Sequence, residues 1–127
     1  MVGVELYGYS RCSSCRDAAA VFHECGVSVS RRDLFAGPLS AEEIRSLFAR
    51  IGVAPRDMLA SRSRPFRALN LGERVMTDVE VIELMSEHPA LIRRPIVVAH
   101  ERSYVGFNRG ALLRFAATVK DGHNGHA

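Results

Sequence analysis

A strand, a helix and a second strand fit into residues 4–35, and two cysteines three positions apart stand where the first strand gives way to the helix. "VELYGY" (4–9) alternates apolar and polar residues and is rich in β-formers. From Cys15 to Cys25 the apolar residues Ala18, Ala19, Phe22 and Cys25 recur at helical spacing, and Gly26 is the residue expected just past the helix end. "VSVSRRDLF" (27–35) then alternates again as a strand. A strand, a helix and a strand in so short a span make a βαβ unit, whose two strands pair in parallel.

Beyond that unit the pattern turns helical. Ser40 and Glu43 have capping-box spacing ahead of the apolar stripe Ile44, Leu47, Phe48 and Ile51. Thr77 and Glu80 repeat the device before "TDVEVIELMSEH", with Val79, Ile82, Leu84 and Met85 expected to face inward. The stretch between them, "PRDMLASRSRPFRALNLGERV", reads as short helical turns, so residues 37–88 form a helical insert. His88 reads as a helix-end residue, and Arg62, Arg64 and Arg67 make a basic cluster of the usual solvated kind. "RRPIVVAH" (93–100) is β-rich and entered through Pro95, and "SYVGF" (103–107) pairs with it across a turn at 100–102. "NRGALLRFAATV" (108–119) closes the fold as a helix, with Leu112, Leu113 and Phe115 on or near one face.

The expected architecture is therefore α/β. It has a thioredoxin-like β-α-β/β-β-α core carrying an all-helical insert, in one domain over residues 1–120. Residues 121–127, "DGHNGHA", hold no core-forming side chain and are expected to be a disordered tail. In this arrangement the proline before the third strand, Pro95, is expected to be cis and to face the cysteines.

Composition narrows the function. No apolar run approaches the ~20 residues a membrane helix needs, and "MVGVELYGYS" lacks the charged-then-apolar order of a secretory signal. No membrane association and a cytoplasmic location are the expectation. The net charge is only +3, and the basic residues are scattered, so no direct DNA binding is expected. Of the 17 basic side chains only Lys120 is a lysine. Arginine favours forked contacts to oxyanions, although genome composition explains such a bias equally well.

In a reducing compartment a C-x-x-C pair points to redox chemistry or metal more often than to a structural bridge. Cys12 stands at the helix N-terminus, where unpaired N–H groups and the helix dipole favour a thiolate, with Arg11 and Arg16 beside it. Cys15 follows one turn later, placed to resolve a mixed disulfide at Cys12. Two alternatives compete: half of a zinc site, or two small packing residues. Zinc needs about four ligands. Cys25 lies ten positions further down the same helix, and His123 and His126 fall in the tail, so no metal and no cofactor is expected. Arg94, just before Pro95, is expected to aim its guanidinium at the cysteine loop, where it would hold an oxyanion or a thiolate.

"YGYSRCSSCRDA", "SRSRPFRALNL", "SEHPALIRRPIVV" and "YVGFN", in this order over residues 4–118, resemble the arsenate reductase/Spx family. The fold that the resemblance implies is the one read above. Glutaredoxin-coupled arsenate reductases resemble the chain at Cys12, their nucleophile toward arsenate, and at Arg94, one of three oxyanion-binding arginines. The other two arginines would align near Ala60 and at Phe107, with Arg62 close enough to substitute for one. Those enzymes typically lack the second cysteine. Spx-type redox regulators resemble the chain more closely. They carry the C-x-x-C switch, a stretch like Ser61–Ser63, the "HPxLxRRPI" block and "VGYN" where this chain has "VGFN".

The resemblance implies a thiol switch with a Cys12–Cys15 disulfide. Its regulator would contact DNA only through the C-terminal domain of the RNA polymerase α subunit. A glycine important for that contact would align near Ala54, whereas here the glycine is Gly52. Arg94, Arg62 and Arg16 are the expected oxyanion- or thiolate-stabilising residues, and the resemblance implies that Arg94 also stabilises the oxidised form. The alternative is a thiol-dependent oxidoreductase of the arsenate reductase kind, with glutaredoxin, thioredoxin or glutathione as electron donor.

Overall fold

The computed structural model describes residues 3–100 and 102–124, with side chains through Asp121. They fall into two compact units. Met1–Asp33 and Arg94–Ala127 form a sheet unit, and Leu34–Arg93 a helical one. Within the second unit the helical elements run from Ala41 to Leu91.

In the sheet unit, β1 (Gly3–Gly8) and β2 (Ser28–Asp33) pair in parallel, with Gly3 opposite Ser28 and Gly8 opposite Asp33. The crossover is α1 (Ser13–Glu24), and Gly26 closes it at φ +72°, a left-handed conformation that glycine adopts without the strain a Cβ would add. β3 (Ile96–Ala99) lies antiparallel to β1 on its other side, and β4 (Arg102–Val105) antiparallel to β3, giving the order β2-β1-β3-β4. The Arg94–Pro95 peptide that leads into β3 is cis, as the sequence predicted.

β1 buries Val4 and Leu6 on one face, and all four residues of β3 are buried. α1 presents Cys15, Ala18, Ala19 and Phe22 to the same core, which α5 (Arg109–Asn124) completes with Leu112, Ala116 and Val119. Phe22 meets Phe115 edge to face, with ring centroids 6.2 Å apart. Leu113, expected near this face, is 36% exposed.

α5 runs five residues past the expected end at 119, and in this last part Lys120 donates from Nζ to the Cys25 carbonyl at 2.9 Å. The segment expected to be a disordered tail is therefore helical through Asn124, and residues 125–127 lie outside the described residues.

The helical unit holds α2 (Ala41–Ile51), α3 (Arg64–Ala68) and α4 (Asp78–Glu87), with single 3₁₀ turns at 55–58 and 71–73 between them and a third at 89–91 after α4. Both capping boxes form. Ser40 Oγ accepts from Glu43 N–H at 3.1 Å and Thr77 Oγ1 from Glu80 N–H at 3.2 Å, while each glutamate carboxylate accepts from the cap's N–H. Ile44, Leu47 and Phe48 of α2 and Val81, Ile82 and Met85 of α4 supply the core, with Met58, Leu71 and Leu91 from the turns.

Val79, expected to face inward, is 65% exposed. At ~100° per residue it projects roughly 110° away from the centre of the Val81–Ile82–Met85 stripe. The unit is not purely helical: Leu59 and Ile92 form an isolated antiparallel bridge, supported by the Ala60 N–H to Leu91 carbonyl bond at 2.7 Å and the Arg93 N–H to Met58 carbonyl bond at 2.9 Å.

Candidate functional site

The cysteine loop is built by the end of β1. Cys12 takes extended backbone angles (φ −83°, ψ 114°) as the N-cap of α1, and its N–H donates to the Tyr9 carbonyl at 3.0 Å. Its sulfur occupies the place that a serine or aspartate oxygen fills in an ordinary cap. Sγ of Cys12 accepts from the Cys15 N–H at 3.3 Å, and the Cys12 carbonyl accepts from the Arg16 N–H at 3.1 Å. The first turn of α1 contains no acidic residue, so nothing in it opposes negative charge on that sulfur.

Cys12 is partly exposed, whereas Cys15 is fully buried in the sheet-unit core. Burial pushes the Cys15 thiol up to about 12. Its hydrogen bond with the Cys12 side chain adds to this, and backbone hydrogen bonding at Tyr9 and the positive charge of Arg94 oppose it. Cys15 is therefore a protonated thiol near neutrality, shielded from solution, and Cys12 is the sulfur an outside reagent can reach. This asymmetry suits a pair in which one sulfur attacks and the other resolves. All three cysteines are free thiols in this structure.

Arg94 belongs to this site. Its charge acts on Cys15, and its guanidinium carbon lies 5.9 Å from the centroid of the Tyr9 ring, a cation–π geometry that holds it beside the cysteine loop. Arg16 stands exposed on the first turn of α1. Arg62 is exposed on the helical unit, its carbonyl accepting from Arg67 Nη2 at 3.1 Å. Cys25 caps the far end of α1. Among the described residues no three histidine, cysteine or acidic side chains converge as metal ligands would.

Two contributors escaped the sequence reading. Tyr9, legible only as a strand end and as part of the "YGYSRCSSCRDA" block, accepts from the Cys12 N–H through its carbonyl and carries Arg94 on its ring. Gly8 is the other. A Cβ built there would lie 2.8 Å from Cys15 Sγ and 3.1 Å from Cys15 Cβ, so only glycine lets the buried thiol pass this close to β1. A glycine inside a β-prone stretch is the signal that could have revealed it.

Residues 7–115 match the ArsC family. The chain is 34% identical over 112 residues to the global transcriptional regulator Spx of Bacillus subtilis, covering 88% of this chain and 86% of that protein. It is also 34% identical over 111 residues to the regulatory protein MgsR of the same organism, covering 87% and 88% of the two chains. Among solved structures, an arsenate reductase from Vibrio cholerae superimposes with a TM-score of 0.80 at 28% identity, over 89% of this chain and 97% of the other. The α/β architecture with its four-stranded sheet, the half-exposed cysteine capping α1 and the match across most of the chain agree: the protein belongs to the ArsC family, and its relatives include transcriptional regulators of the Spx type.

Proposed function

We propose that the protein is a thiol-based redox switch of the Spx type, in which Cys12 and Cys15 form an intramolecular disulfide that governs a transcriptional role. The observation that carries this reading is the asymmetry of the pair: Cys12 reachable at the helix cap, Cys15 buried and protonated one turn away. With peroxide as oxidant, the Cys12 thiolate takes one oxygen to become a sulfenic acid and releases hydroxide. The Cys15 sulfur then displaces the second hydroxide, its proton leaving as water, and the S–S bond closes. The pair has lost two electrons and the peroxide has gained them. Arg94 and Arg16 supply positive charge to the thiolate stage, which the disulfide no longer needs, so oxidation changes the charge and mobility of the surface beside Tyr9.

The partner in this reading is the C-terminal domain of the RNA polymerase α subunit, supported by the 34% identity to Spx. The test pairs two measurements. Mild peroxide should remove two protons' mass from the peptide holding Cys12 and Cys15, reversibly with dithiothreitol, and the purified polymerase domain should bind one redox state more tightly. Thiols that stay reduced would overturn the switch, and equal or absent binding in both states would overturn the polymerase contact.

The likeness to the Vibrio cholerae arsenate reductase favours a second reading on the same sulfurs: a thiol-dependent oxidoreductase drawing electrons from glutaredoxin, thioredoxin or glutathione. Arsenate-dependent consumption of thiol that disappears in Cys12→Ser would establish it, and no turnover with any of these donors would remove it.

A further inference from the structure

A cleft of about 190 Å³ opens at the carboxyl ends of the parallel strands β1 and β2. Gly8, Tyr9 and Ser10, the segment that leads into the cysteine loop, line one side, and Arg31, Arg32 and Asp33 at the end of β2 line the other. Arg16 enters from the first turn of α1, and Leu6 also contributes to the lining.

The charge is strongly one-sided, with three guanidiniums against one carboxylate. Neither Arg16 nor Arg31 has an ion-pair partner among the described residues. Like charges gathered at one cleft raise its energy until an anion enters, and guanidinium forks match the geometry of carboxylate and phosphate oxygens. The volume lies below the roughly 300–1,000 Å³ of pockets for drug-sized ligands, so the occupant is small.

We propose that this cleft is a binding site for a small, doubly charged anion, a phosphate group or a dicarboxylate, held chiefly by Arg16 and Arg31. The site shares Arg16 with the thiol reading, but Arg31 and the end of β2 take no part in that reading, and anion binding here does not depend on any cysteine chemistry. The arginines are exposed, so solvent and salt screen them, and the affinity belongs in the sub-millimolar range rather than the nanomolar one.

Calorimetric titration of the full chain, at fixed ionic strength set with sodium chloride, separates the sources. Inorganic phosphate is one arm and succinate the other. The expected result is saturable 1:1 binding of at least one of them, weakened about tenfold or more in Arg31→Gln and in Arg16→Gln, the loss expected for a charge-assisted hydrogen bond. Arg114→Gln, an exposed arginine on α5, should leave it unchanged. Binding of phosphate alone assigns the site to phosphoryl groups, and binding of succinate alone assigns it to dicarboxylates. No saturable binding of either, or equal loss in Arg114→Gln, overturns the proposal. All three arginines are exposed, and a thermal melt matching the parent confirms that each variant is folded.

Discussion

Cys15 and Gly8 carry the consequences of the site at the scale of single residues. Burial holds the Cys15 thiol protonated up to about 12 in the folded chain, while in the unfolded chain it ionises near 9.0. Between those values the unfolded state binds fewer protons, so stability is lost as pH rises through that window and is unaffected by this group below it. Reduced protein should therefore show a falling unfolding free energy from about pH 9 toward 12, read by chemical denaturation at a series of pH values. Cys15→Ala should lack that component of the slope, and so should the oxidised protein if its Cys15 sulfur is in a disulfide. An unchanged slope in Cys15→Ala would mean that the buried thiol is not its source. Gly8→Ala places a methyl 2.8 Å from Cys15 Sγ and 3.2 Å from Leu6 Cδ2, a clash against side chains in the core. Overpacking of this kind costs about 1–3 kcal/mol. Gly8→Ala should lower the melting temperature, and it should shift Cys15 reactivity more than that of Cys12, measured by alkylation and mass spectrometry of the two-cysteine peptide.

At the level of elements, what the sequence revealed and what it concealed divide along physical lines. Both capping boxes were legible because Ser40 with Glu43 and Thr77 with Glu80 depend only on local spacing. The βαβ unit, the paired cysteines at its first junction and Gly26 at positive φ were legible for the same reason, whereas the cis Pro95 was read from the order of the elements. Val79 was misjudged because its inward placement is decided by which stripe of α4 meets α2, and that is a tertiary fact. The length of α5 was misjudged because "KDGHN" carries no apolar residue to mark a helix, and the Lys120 bond to the Cys25 carbonyl lies 95 residues away in sequence. Within the candidate site, Cys12, Cys15 and Arg94 were legible from motif and order, whereas Tyr9 and Gly8 matter through contacts that no spacing encodes. The caps also carry a prediction. Ser40→Ala and Thr77→Ala each remove the acceptor for an N-terminal N–H and should destabilise by about 1 kcal/mol. Gly at position 40 should be milder than Ala, and a loss confined to the noise of equilibrium denaturation in both Ala variants would show that these ends are held by packing instead.

For the whole molecule, the division into a sheet unit and a helical unit gives each its own buried set. Phe22, Leu6, Val97 and Leu112 are fully or almost fully buried in the first, and Ile44, Met58, Met85 and Leu91 in the second. The chain passes between the units at Asp33–Leu34 and Arg93–Arg94, so the helical unit is an excursion from a fold that Arg94 then resumes. Contiguous structures with separate cores open as separate cooperative units more readily than one continuous core does. Phe22→Ala and Met85→Ala leave cavities of comparable kind, worth about 2–5 kcal/mol each. Amide hydrogen exchange should then divide by unit. Phe22→Ala should speed exchange in α1, β1 and β3 while α2 and α4 keep most of their protection, and Met85→Ala should do the reverse. Because Cys15 packs in the same core as Phe22, the first variant should also make the buried thiol accessible to alkylation, and the second should leave it shielded. If either variant instead accelerated exchange uniformly across residues 3–124, the two cores would unfold as one, and the stability of the cysteine site would be set as much by the helical unit as by the sheet that holds it.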